Sequence, residues 1–198
     1  MARPVLAAAL GAALLSGCAV RPTNDTFALS ATPEIATASA TTTATKKLQI
    51  LVPTPGAMQA LAGQDIVVRL PGSEIRYLSK AQWGDNLPNL VQANLVAGLE
   101  RTGAFGGVGM PGQGLAIDYQ LVVEIRDFSI DAAGGGTANV SLAVKLVDDR
   151  SGVVKAQNVF DTKVGVNPTA SNGVLVSALD QASAQATSAI VAWAVSTL

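Results

Sequence analysis

Between Tyr119 and Val166 the chain alternates apolar and polar residues three times over, and this period of two limits what it can fold into. Tyr119, Leu121, Val123 and Ile125 share one face of a strand, with Gln120, Glu124 and Arg126 on the other. The phase slips near Asp127, after which Phe128 and Ile130 are apolar in the opposite register; a β-bulge accounts for the slip. Val140, Leu142, Val144 and Leu146 alternate with Asn139, Ser141 and Lys145 in a second strand. Asp149-Arg150-Ser151-Gly152 is a turn, and Val153 to Val166 returns as a third strand. One polar face per strand predicts an antiparallel sheet covered on a single side.

Two helices are expected to cover it. Asp85 or Asn86 can cap the first, Pro88 suits its first turn, and Leu87, Leu90, Val91, Leu95 and Leu99 make one stripe that Gly103 ends. The second runs from about Ser171 to Thr197, on the order of 40 Å. Leu175, Ala178, Leu179, Ala182, Ala186, Ile190 and Trp193 lie on one side of it, and the alanines allow a close approach to a sheet. Asp180, Gln181 and Gln185 near its middle argue against insertion into a bilayer. Upstream, Lys47 to Val52 reads as a strand stopped by Pro53 and Pro55. Gln64 to Leu70 and Glu74 to Leu78 read as short strands joined at Pro71-Gly72. The Gly103 to Gly114 stretch lacks the Lys-Ser/Thr of a phosphate loop and reads as a loose connection. The expected fold is α+β, an antiparallel sheet with two main helices packed on one face.

Composition removes several function classes. Hydrophobic residues are 49% and charged residues 14%, which suits a packed core rather than a disordered chain. Net charge is −1 with scattered basic residues, so no footprint for nucleic acid exists. Histidine is absent, which rules out Ser-His and Cys-His nucleophile pairs and removes the commonest metal ligand. The carboxylates show no recognisable pairing. A non-catalytic module without metal or cofactor is expected.

The N-terminus says where it works. Met1-Ala2-Arg3 precedes an apolar run from Val5 to Leu15, 11 residues, too short to span a bilayer and suited to a secretory signal. Leu15-Ser16-Gly17-Cys18 then reads as a lipobox. Small Ser16 and Gly17 let the bond enter a narrow signal-peptidase site, and the only thiol in the chain, Cys18, can carry diacylglycerol and become an N-acylated terminus. Up to three acyl chains at ~0.8 kcal/mol per buried CH₂ make such an anchor effectively permanent. Residues 1–17 are thus expected to be a signal peptide and 18–45, rich in Ala, Thr, Ser and Pro, a lipidated flexible tether. The folded domain is expected over 46–198, although Thr26 to Ser30 alternates and is a candidate first strand.

These elements, in this order, resemble the ABC-type transport auxiliary lipoproteins, the family that includes the paraquat-inducible lipoprotein. The resemblance rests on the lipobox, Leu48-Gln49-Ile50, Gln64-Asp65-Ile66-Val67-Val68-Arg69, Ile75-Arg76-Tyr77, Gln82-Trp83 and Asn86-Leu87-Pro88. It continues through Asp118-Tyr119-Gln120-Leu121, Leu146 to Gly152 and a final helix bearing Trp193. It implies a periplasm-facing accessory protein of an intermembrane lipid transporter, whose companions are an ABC permease and ATPase and a protein of the MCE (mammalian cell entry) type. Self-association into a homo-oligomer is open. By resemblance to sorted Gram-negative lipoproteins, Ala19 rather than Asp after the cysteine favours the outer membrane over the inner. A structural or pilot-type envelope lipoprotein is the alternative, and a lipid carrier with an apolar cavity is a third reading. Aromatic residues are scarce at 4%, so Tyr77 and Trp83 stand out. They either plug the seam between helix and sheet or offer an exposed anchor to a partner.

Overall fold

The structure, a computed structural model, describes residues 24–30, 32–34, 48–133 and 135–198. Leu15, Ser16, Gly17 and Cys18, the signal segment and much of the expected tether lie outside the described residues.

The fold is α+β. Its centre is β7 (Tyr119–Asp131), which forms an antiparallel meander with β8 (Thr137–Asp148) and β9 (Val154–Gly165). The register slips between Ile125 and Asp127, where the change of phase in the sequence required a bulge. Asp148 organises the following turn by accepting hydrogen bonds from the Ser151 amide and hydroxyl, both at 2.8 Å. These bonds hold its carboxyl below the ordinary 3.8.

The other edge of β7 corrects the all-antiparallel expectation. β2 (Gln49–Leu51), β3 (Gly56–Ala57) and β4 (Asp65–Arg69) lie along it one after another, all parallel to it, so the sheet is mixed. They form one interrupted strand, broken by Pro53 and Pro55 and by a 3₁₀ turn at Gln59–Leu61. Alternation reports which faces are buried but carries no information on strand direction, so the sequence could not reveal this. β5 (Ile75–Trp83) pairs antiparallel with β4 and extends five residues beyond the expected end at Leu78, through a bend where Lys80 adopts φ 59°. β6 (Gly107–Gly109) turns part of the supposedly loose glycine stretch into a strand parallel to β2. A Cβ on Gly109 would press on the ends of the Leu115 and Gln113 side chains, which would have to shift.

α1 (Leu87–Thr102) starts with Pro88 in its first turn and ends on Gly103 at φ 59°, a left-handed cap that glycine adopts freely. Asn86 occupies the cap position without a side-chain bond, while Asp85 Oδ1 accepts from the Asn86 amide and the Asn89 side chain. α2 (Asn172–Thr197) packs across β7, β8 and β9 and against α1. Leu179, Ala182, Ala186 and Ile190 are fully buried under it, and Thr162 Oγ1 donates to Ala182 O at 2.8 Å. Trp193, at the rim, is half-buried edge-on to Phe160. The apolar side chains of the sheet and of both helices form one continuous core.

The folded module also begins earlier than residue 46. β1 (Asp25–Phe27) pairs parallel with Ala81–Trp83 of β5, and Leu29 is buried in the core. Part of the segment expected to be tether is therefore a strap bound to the domain.

Candidate docking surface

Both helices lie on one face of the sheet, and no described element covers the other. The register places Val122, Lys145 and Gln157 in one row of that outer face and Glu124, Ala143 and Val159 in the next. Val122 and Val159 are 36% and 41% exposed. An open groove of about 420 Å³ runs between these rows, lined by Arg126, Ala143, Lys145, Gln157 and Val159 among others. Beside it a second groove of about 260 Å³ is lined by Asp127, Asn139, Ser141, Asp161 and Lys163. Farther toward β5 the face is pinned by a polar triad. Arg69 Nε donates to Asp127 Oδ1 (3.2 Å) and Ser129 Oγ (3.1 Å), and the Ser129 hydroxyl donates to Asp127 at 2.7 Å. Ser129 is fully buried there, so its hydroxyl needs this partner. A shallow face mixing both signs of charge with short apolar rows suits contact with another protein surface, not enclosure of a small molecule.

The two aromatic candidates separate. Trp83 is 1% exposed and meets Phe128 edge-on with ring centroids 5.7 Å apart; it seals the seam, and its reading as a partner contact is withdrawn because no surface of it is left to touch. Tyr77 is 53% exposed on β5, beside Ile75 at 46%. The structure does not bring Tyr77 and Trp83 together: the bend around Lys80 lies between them.

A feature that the sequence reading passed over is the strap's fastening. Asp180, only 8% exposed on the buried side of α2, accepts hydrogen bonds from the Ser30 amide (3.0 Å) and hydroxyl (3.1 Å). A carboxylate between Leu179 and Ala182 on an apolar stripe was the available signal, since a buried acid demands donors. Residues 32–34 then border an open groove of about 670 Å³ against Gln181, Gln185 and Ser188 of α2. Among the described residues no cluster of acidic, Cys or His side chains could hold a metal, and no helix is long and apolar enough to cross a membrane.

The described residues thus form a strapped, mixed-sheet α+β scaffold whose grooves open on the surface. Residues 27–191 match the ABC-type transport auxiliary lipoprotein component, and the chain belongs to that family. The family is described as an auxiliary lipoprotein component of ABC-type transport. A crystal structure of a Xanthomonas campestris protein shares the fold, with TM-score 0.77 at 23% identity, covering 87% of this chain and 96% of that one. A second, uncharacterized protein does so with TM-score 0.67 at 17% identity, covering 87% of this chain and 99% of that one. An uncharacterized protein of Bradyrhizobium diazoefficiens is 29% identical over 155 residues, 76% of this chain but only 40% of that protein's length.

Proposed function

We propose that the protein is a non-catalytic accessory lipoprotein of an ABC/MCE-type intermembrane lipid transport system, held by acyl chains on Cys18 at the periplasmic side of the outer membrane. The observation that carries this is the family match across residues 27–191, joined to a lipobox that supplies an anchor just ahead of it. The core supports an accessory role over lipid carriage, since one continuous apolar cluster fills the space between sheet and helices. In this reading the anchor fixes the module beside one membrane while the outer sheet face, with Val122, Ala143, Lys145 and Val159, docks the MCE-type partner. Confinement raises the effective concentration of the two surfaces without any new contact.

In-cell crosslinking followed by purification of the acylated protein tests this. Capture of a permease, ATPase or MCE-type protein is expected, with loss on Lys145→Glu combined with Val159→Glu. Repeated recovery without any transporter component returns the protein to the structural or pilot class. Labelling with a palmitate analogue checks the anchor separately: it is expected on the natural protein and absent from Cys18→Ser.

A further inference from the structure

The strap decides how far the module can stand from its anchor. Six chain steps separate Cys18 from Asn24, whose side chain donates to Gln82 Oε1 at 3.1 Å just ahead of β1. Whatever their conformation, these steps span at most about 20 Å at ~3.3–3.6 Å per residue. A module of this size has a radius of gyration of about 15 Å, and α2 alone is about 39 Å long. The anchor's reach is therefore about half the length of the fold. Without the strap, a tether running to residue 48 would allow about 100 Å, and orientation would be free.

The place where the strap meets the fold is defined. Asp25 lies opposite Ala81, next to the bend at Ser79 and Lys80. Asn172, first residue of α2, donates its side-chain amide to Ser79 O at 2.9 Å, so β1 begins at the N-terminal end of that helix. From there the strap climbs to Ser30 on Asp180, about two turns along α2. In the β4–β5 pair Asp65 lies opposite Gln82 and Arg69 opposite Ile75, so the connection at 70–74 is about four residues of β4, or about 13 Å, from the strap's partners. Exposed Ile75 and Tyr77 lie on β5 between that connection and the bend, and exposed Lys80 and, in the first turn of α2, Val174 at 52% exposed lie next to the Ser79–Asn172 contact. The turn at 149–152 and Val153, 61% exposed, lie at the opposite end.

We infer that the strap end of the fold faces the bilayer, with Ile75, Tyr77, Val174 and Lys80 against the lipid headgroup layer that holds Cys18. The inference rests on the acylation of Cys18 proposed above. Chain length selects the membrane as occupant: the exposed apolar residues at this end lie within reach of the anchor, and Val153 does not. Tyrosine suits the site because its ring sits in the interfacial layer while its hydroxyl stays wet, and lysine extends its ammonium toward phosphates.

The test uses the full-length acylated protein in phosphatidylethanolamine/phosphatidylglycerol vesicles. Cys18 is blocked by its lipid, so Ser73→Cys and Arg150→Cys each offer one labelling site, at opposite ends of the fold. Headgroup-linked quencher is expected to quench the Ser73 label at least about twofold more than the Arg150 label, given a separation comparable to α2. Ile75→Glu with Tyr77→Glu is expected to reduce quenching at position 73 while leaving flotation intact. Equal or reversed quenching in protein that floats with the vesicles overturns the orientation and leaves the anchor standing. Unchanged quenching in the double variant overturns the headgroup contact. Failure of the natural protein to float, like Cys18→Ser, overturns the anchor and the inference together.

Discussion

Replacing Trp83 with alanine isolates the load carried by the seam between β5 and the core. The indole is 1% exposed and meets Phe128 edge-on at 5.7 Å. Large-to-small changes at such a site cost about 3–5 kcal/mol, and an edge-to-face pair contributes about 0.5–1.5 kcal/mol beyond its buried area. A domain of this size loses about 2–4 °C of Tm per kcal/mol, so a fall of roughly 10–15 °C is expected. Trp83→Phe keeps a ring against Phe128 and should lose less than half as much. Tyr77→Ala, at a side chain 53% exposed, should stay within about 0.5 kcal/mol. Calorimetry and urea unfolding of the soluble module, with partner capture measured in parallel, give the comparison. A Trp83→Ala protein that melts within about 2 °C of the parent yet no longer captures its partner would falsify the seam assignment, because only a surface residue behaves that way.

Three further outcomes follow from local geometry. Asp180→Ala removes the acceptor of both Ser30 bonds, so amides 25–30 should lose at least about tenfold in hydrogen-exchange protection, for a local cost of about 1–3 kcal/mol. Protection equal to the parent's would show that β1 pairing and Leu29 burial fasten the strap without Asp180. Gly136 has φ 87°, and an added Cβ would lie 2.3 Å from Val166 O, so Gly136→Ala should cost more than about 2 kcal/mol in chemical unfolding, while Gly135→Ala meets no neighbour and should cost less. Asp148 has its carboxyl depressed below 3.8 by the Ser151 bonds, so its contribution is present above that value and fades as pH falls through the lower folded one. The Ser151 amide resonance should titrate with a midpoint under 3.8 and become flat in Asp148→Asn; a midpoint at or above 3.8 contradicts the turn geometry.

What could be read from the residues alone was whatever a local period or a steric rule encodes. The three-strand meander, the slip at Asp127 and the left-handed cap at Gly103 all follow from alternation or from the conformational range of one residue. Pairings between distant short segments are not encoded that way. β2, β3 and β4 add only ten residues of strand between them, and each gains its place by fitting beside β7 rather than by its own pattern. β6 is hidden because glycines at 107 and 109 erase the alternation that marks a strand. The strap shows the same limit. Asp25–Phe27 is too short to stand alone, and what holds it is Ala81–Trp83, more than fifty residues away, and Asp180, 150 residues beyond Ser30. Trp83 was legible as one of two alternatives, and only tertiary burial chose between them.

The distribution of chemistry over the fold constrains how such a module can assist transport. Its buried apolar side chains gather in one core that joins both helices to the sheet, and its grooves open on the surface. A lipid acyl chain placed in those grooves would lie beside Arg126 and Lys145, or beside Gln181 and Gln185, and stay wetted along one side. Assistance through contact fits these surfaces better than carriage does. The strap then acquires a purpose that a loose tether would not have. Under the proposed acylation of Cys18, β1 and Asp180 leave only six chain steps between anchor and fold, which narrows the orientations open to the outer sheet face. A partner recognising that face would be positioned relative to the bilayer by the same bonds, and rotational freedom removed before binding does not have to be lost during it.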